Sequence, residues 1–268
     1  MSSTTSADPD LQLKPWWLPI PLTEDTPWHG AIGPLSIYLE RGQHEWRLAW
    51  EHRPDVIDNN RLELGTDRLP PDTLDTGRYV FRQAPSTVRL RPRLLDRPTV
   101  VKTNEPVMIP PGEQSTFYIS SPVCVCIECD ALEKPLLEIP TVQLSDTWFG
   151  PNTREGELCY AARTSARNDV DDVPLRPHRA VTPVLLHNRS TELLAIEKLS
   201  IPLPMLSVFG RDDGTLWTES VSLEHHASDS LASLKIGRKP DGATLLSEAR
   251  LPSQRNNVVR AFINLFTD

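Results

Sequence analysis

The sequence predicts an all-β protein: two antiparallel β-sandwich-like units followed by a short C-terminal amphipathic helix. Three observations predict it. Apolar and polar residues alternate with period two in many short segments, the signature of strands with one face buried. Turn residues separate these segments at a spacing of about 8–12 residues, which suits sandwich packing. Prolines number 26 against 12 glycines, and proline interrupts a ladder because it has no N–H to donate.

The elements follow in order. Residues 1–14 are largely small and polar and are expected to form a disordered tail. Trp16, Trp17 and Leu18 then arrive among Pro15, Pro19 and Pro21, in a stretch too proline-rich for a helix. A first hairpin reads from Gly33 to Glu40 and from Glu45 to Glu51, with Arg41, Gly42, Gln43 and His44 as its turn. Trp46, Leu48 and Trp50 share one face of it and are expected in the core. Residues 53–83 read as an irregular excursion with a strand near 79–82. Strands resume at 87–90, 99–102, 107–109, 116–119 and 123–128, and again at 136–144 and 157–165. These close a first unit over 15–167. The acidic, proline-bearing NDVDDVPLRPHR at 168–179 reads as a linker.

A second unit is expected over 180–252. Val181 to Leu186 is an apolar run that stops at His187-Asn188-Arg189-Ser190, and 192–201 alternates before Pro202 and Pro204 end it. Residues 205–209 and 215–223 flank Gly210-Arg211-Asp212-Asp213-Gly214, residue types that tolerate positive φ and therefore turn a hairpin. Within 253–268, Ser253 is a candidate N-cap, and Val258, Val259, Phe262, Ile263 and Phe266 recur at helical spacing. That apolar stripe would dock on its own sheet or enter a partner's groove.

Charge and hydropathy exclude several functions. The net charge of −8 argues against nucleic-acid binding, which needs a basic surface. Arg89, Arg91, Arg93 and Arg97 do cluster; a solvated strand face is the favoured reading over an anion site. The N-terminal MSSTTSADPD lacks the basic and apolar regions of a secretory signal, and no apolar run approaches the ~20 residues of a membrane span. The expected location is the cytoplasm, with any attachment to the inner membrane made through a partner rather than by direct insertion.

Candidate sites are few. Cys124, Cys126 and Cys129 form C-x-C-x-x-C, but the first two lie in the apolar strand pattern VCVCIE, where buried core thiols are the favoured reading. A metal or redox site is the alternative. Trp16, Trp17 and Trp28 would serve a small molecule or carbohydrate if their rings were exposed. His225, His226, Ser228 and Asp229 supply the residue types of a hydrolytic triad without its spatial logic. Phosphate-loop, dinucleotide, nucleophile-elbow and zinc-protease motifs are all absent. No cofactor is implied, and a non-catalytic protein is expected.

Asp146-Thr147-Trp148-Phe149-Gly150, Gly156-Glu157-Leu158-Cys159-Tyr160, Thr182-Pro183-Val184, His187-Asn188-Arg189-Ser190, Ile201-Pro202-Leu203-Pro204 and Leu216-Trp217-Thr218-Glu219 follow one another in this order. The pattern resembles an uncharacterised domain-of-unknown-function family of archaea and bacteria, from about Trp28 to the end of the chain. Members of that family tend to be encoded beside small-conductance-type mechanosensitive channels. The resemblance implies an accessory or regulatory subunit that binds the cytoplasmic part of such a channel and carries no catalytic residues. A ligand-binding β-sandwich and a thiol- or metal-responsive regulator are the alternatives, and self-association stays open.

Overall fold

The computed structural model describes residues 13–53, 60–150, 152, 154–226, 231–252 and 259–262. Its strands begin with β1 (Ile20–Pro21), β2 (Pro27–Ile32), β3 (Leu35–Arg41), β4 (Glu45–His52) and β5 (Leu62–Thr66). Next come β6 (Gly77–Val80), β7 (Thr87–Leu94), β8 (Thr99–Ile109), β9 (Gln114–Glu128) and β10 (Leu137–Pro140). Then follow β11 (Asp146–Phe149), β12 (Glu157–Ser165), β13 (Arg179–Asn188), β14 (Leu194–Ile201) and β15 (Val208–Gly210). The last are β16 (Leu216–Trp217), β17 (Val221–His225), β18 (Leu231–Ile236), β19 (Thr244–Ser247) and β20 (Val259–Phe262). The fold is all-β, as its alternating sequence predicts.

Three sheets share one core. A five-stranded antiparallel sheet, β5-β2-β3-β4-β6, is built from consecutive chain and contains the expected first hairpin. The largest sheet runs β1-β7-β9-β13-β16-β15-β19, with β10 beside β9 and with β17, β18 and β20 extending from β13. The third is β11-β12-β8-β14. Ile37, Leu39, Trp46 and Leu48 of the first, Leu90, Ile119 and Val123 of the second, and Val101, Ile196 and Leu199 of the third belong to one apolar cluster. Removing that area from water is the main force holding the sheets together.

The pairing departs from the all-antiparallel expectation in three places. β12 runs parallel to β8, and β13 runs parallel to both β16 and β17. Pairing also crosses segment 168–179: β9 pairs with β13, and β8 with β14. The segment itself is clamped, as the indole N–H of Trp16 donates to the Pro177 carbonyl (2.9 Å), while the His178 carbonyl accepts from Val123 N–H (3.1 Å) and the Thr141 hydroxyl (3.2 Å). Gly33, with φ +57°, turns β2 into β3 directly against the His178 ring, where a Cβ would stand 2.2 Å from Nδ1.

The expected C-terminal helix is corrected. Val259–Phe262 forms β20, antiparallel to β18, with Leu231 opposite Phe262 and Leu234 opposite Val259. Spacing alone fitted a helical face, but without β20 the β18 ladder would end in unpaired N–H and C=O groups, and β-branched valine suits a strand. Val258, Ile263 and Phe266 lie outside the described residues.

One buried histidine gives the first sheet a pH dependence. His29 of β2 sits opposite Tyr38 of β3, their rings 4.8 Å apart, and Tyr38 donates its hydroxyl to Glu51 (2.8 Å). Burial first, then Arg61 and Arg68, hold the His29 pKa below the ordinary histidine value; Glu63 and Glu51 oppose this more weakly. The unfolded chain therefore takes up a proton that the folded chain does not, and stability drops as pH falls below about 6.5. The melting temperature of the wild type should fall more between pH 7 and 5 than that of His29→Gln. Parallel curves would contradict this assignment.

Candidate functional site

The β11–β12 hairpin carries the most distinctive surface. Alternation along both strands sends Phe149 and Cys159 to one side, where they pack with Val100 in a small buried cluster. It sends Trp148 and Leu158 to the other side, directly across the ladder from each other. These two remain 49% and 44% exposed. β11 is the terminal strand of its sheet.

Trp148 is exposed yet held. Its indole N–H donates to the Asn152 carbonyl (2.9 Å), and the Asn152 side-chain oxygen accepts from the N–H groups of Arg154 (2.8 Å) and Glu155 (2.9 Å). This side-chain-to-backbone turn shapes the loop that grips the ring. The indole also lies on bare backbone at Gly156, where a Cβ would stand 2.7 Å from its nitrogen. Beside the apolar pair, Tyr160 donates its hydroxyl to Asp96 (2.8 Å). Arg97 lies over the Tyr160 ring (5.3 Å) and donates to Asp146 (3.0 Å). An apolar centre with a polar, hydrogen-bonded rim is how protein-binding surfaces are built.

The tryptophans singled out in the sequence lie elsewhere. Trp16 and Trp28 are buried in the common core, and Trp17 is half-buried at its margin, edge-on to Trp16 at 6.0 Å. Val259 and Phe262 are placed in β20. His225 is buried in β17 and His226 is exposed, whereas Ser228 and Asp229 lie outside the described residues. Among the described residues, no three His, Cys, Asp or Glu side chains converge as a metal would require.

Cys124 and Cys126 lie on β9, and Cys129 lies just beyond it; all three are buried. Burial pushes the Cys124 thiol up to about 12 and that of Cys126 to about 11, with nearby Arg250 and Arg93 opposing this only in part. Cys159 is likewise pushed up to about 12 by burial. Thiol chemistry and metal ligation proceed through the thiolate, which these environments disfavour. At pH 8 the native protein should leave Cys124, Cys126 and Cys159 unlabelled by a thiol-specific disulfide reagent, and denaturant should release all four cysteines. Rapid native labelling at Cys124 or Cys126 would show that the strand opens.

The arginine cluster forms a ladder on the same side of the sheet as these thiols. Arg89 stands opposite Glu128, Arg91 opposite Cys126 and Arg93 opposite Cys124. Arg91 pairs with Glu128 (2.8 Å) and Arg89 with Asp130 (3.4 Å).

A family model described as a protein of unknown function, DUF432, matches residues 16–267. The chain belongs to the DUF432 family. That match spans every strand described above, from β1 to β20. No curated protein and no solved structure matches the chain. No described helix is long and apolar enough to cross a membrane.

The exposed apolar pair on the hairpin is not among the candidate sites that the sequence offers. Asp146-Thr147-Trp148-Phe149 and Glu157-Leu158-Cys159-Tyr160 show no polar–apolar alternation, and the opposition of Trp148 and Leu158 follows from the ladder register. Period two puts Trp148 and Phe149 on opposite faces without showing which face another layer covers.

Proposed function

We propose that this DUF432 protein is a non-catalytic accessory or regulatory subunit that binds another protein through the β11–β12 hairpin. The observation that carries the reading is Trp148, half-exposed yet fixed by the Asn152 carbonyl and the Gly156 backbone. A large aromatic side chain at a surface costs solvation; fixing it in advance removes part of the entropy cost of association. Tryptophan is also among the residues that most often dominate binding energy when ringed by polar groups.

The partner in this proposal is the cytoplasmic part of a small-conductance-type mechanosensitive channel, the association implied by the resemblance of the sequence. The protein would then work in the cytoplasm, attached to the inner membrane through that channel. The test is affinity purification of the tagged chain from detergent-solubilised native cells. The expected result is a near-stoichiometric channel subunit; recovery of the chain alone would contradict the proposal.

A further inference from the structure

A second site lies away from the hairpin, where segment 244–250 crosses the arginine ladder. Ser247 donates its hydroxyl to the Pro92 carbonyl, and Arg250 Nε donates to the Leu94 carbonyl (2.8 Å). These bonds hold the segment along β7 and leave a groove of about 460 Å³. Arg91, Arg93, Cys126, Pro135 and Leu245 are among the residues that line it.

The carboxylates of this groove are not shared evenly among its guanidiniums. Arg250 occupies both oxygens of the Glu138 carboxylate, through Nη1 (3.3 Å) and through Nη2. Arg93 is left 3.8 Å from that same carboxylate, beyond hydrogen-bond length. Among the described residues the Arg93 guanidinium makes no hydrogen bond, although its side chain is only 32% exposed. Arg91, Arg93 and Arg250 thus stand with the carboxylates of Glu128 and Glu138, and Arg93 is the one held off at 3.8 Å. Glu248 also lines the groove, at an exposed position, and Asp96 acts on Arg250 as well. Burial first and then Arg93 lower the Arg250 pKa, with Cys124, Cys126 and Asp96 opposing them.

We propose that the groove binds a small organic oxyanion, a phosphate ester or carboxylate whose charged group takes the donors of Arg93 and Arg91 and whose apolar body rests on Leu245 and Pro135. Guanidinium forks match either oxyanion bidentately, and the half-exposed Leu245 gives the remainder of the ligand an apolar wall. The same headgroup chemistry could come from a free metabolite or from an anionic lipid.

Calorimetric titration of the full chain with phenyl phosphate and with inorganic phosphate, at fixed ionic strength, tests this. Saturable one-to-one binding of phenyl phosphate is expected, at least tenfold tighter than inorganic phosphate. Arg93→Met should weaken it at least tenfold, since Arg250 still satisfies Glu138. Leu245→Asp, at an exposed lining position, should do the same. Cosedimentation with phosphatidylglycerol vesicles, competed by phenyl phosphate, would assign the oxyanion to a lipid headgroup; soluble binding without cosedimentation would assign it to a free ligand. No saturable binding of either soluble probe, or equal binding by wild type and both variants, would overturn the proposal. This outcome is independent of the channel test.

Discussion

Truncating Trp46 to alanine is expected to cost about 3–5 kcal/mol of stability, the range for removing a fully buried large aromatic side chain. Trp46 is wholly inaccessible on β4, packs edge-on against Phe81 with ring centroids 5.4 Å apart, and donates its indole N–H to the Pro85 carbonyl (3.0 Å). The ring ties the five-stranded sheet to the connection that leads into β7. Alanine would leave a cavity and a carbonyl without its donor, two penalties that add. Domains of this kind are stable by only about 5–15 kcal/mol, so the variant should unfold at a much lower urea concentration. A midpoint shift equivalent to less than about 1 kcal/mol would show that the first sheet is not coupled to the common core.

Trp148→Ala should behave in the opposite way. Half of that ring faces water, so the loss of stability should stay small beside that of Trp46→Ala. Association should suffer instead: a central tryptophan of an interface is worth about 2 kcal/mol or more, equivalent to a loss of roughly thirtyfold in affinity. Gly156→Ala should reproduce part of this loss without removing the ring, because its Cβ would push the indole off the backbone. The check is the dissociation constant for the captured partner, measured beside the urea midpoint of each variant. A Trp148→Ala protein that binds as wild type would remove the hairpin from the account.

Much of the architecture is legible in the sequence because one-face burial writes itself as alternation. β3 and β4 stand where Trp46, Leu48 and the turn at Gly42 put them, although Trp50, expected in the core with them, is exposed, and β15 and β16 flank the turn at Gly214, which takes φ +82°. Parallel pairings such as β13 with β17 were not legible, since nothing local distinguishes a strand's neighbour or its direction. The C-terminal segment misled for the related reason that apolar residues at 258, 259, 262 and 263 fit a helical stripe, while the edge of β18 decided the state of Val259–Phe262.

The candidate sites divide in the same way. Buried thiols at Cys124 and Cys126 follow from the apolar strand around them. The clustering of Arg91 and Arg93 is also visible in one dimension. That Arg93 is held off Glu138 is not, because it depends on Arg250 arriving from the far end of the chain to take that carboxylate. Trp148 was visible as a residue but not as a surface, since exposure depends on what the rest of the fold leaves uncovered.

The most direct measurement is photocrosslinking in living cells, with a photoreactive aromatic amino acid placed at position 158, beside an intact Trp148, and at position 80 as the control. Val80 is 75% exposed on β6 of the first sheet. The account predicts an adduct with the channel subunit from position 158 and none from position 80. Channel adducts from position 80 alone, or none from position 158 in cells that contain the channel, would contradict it.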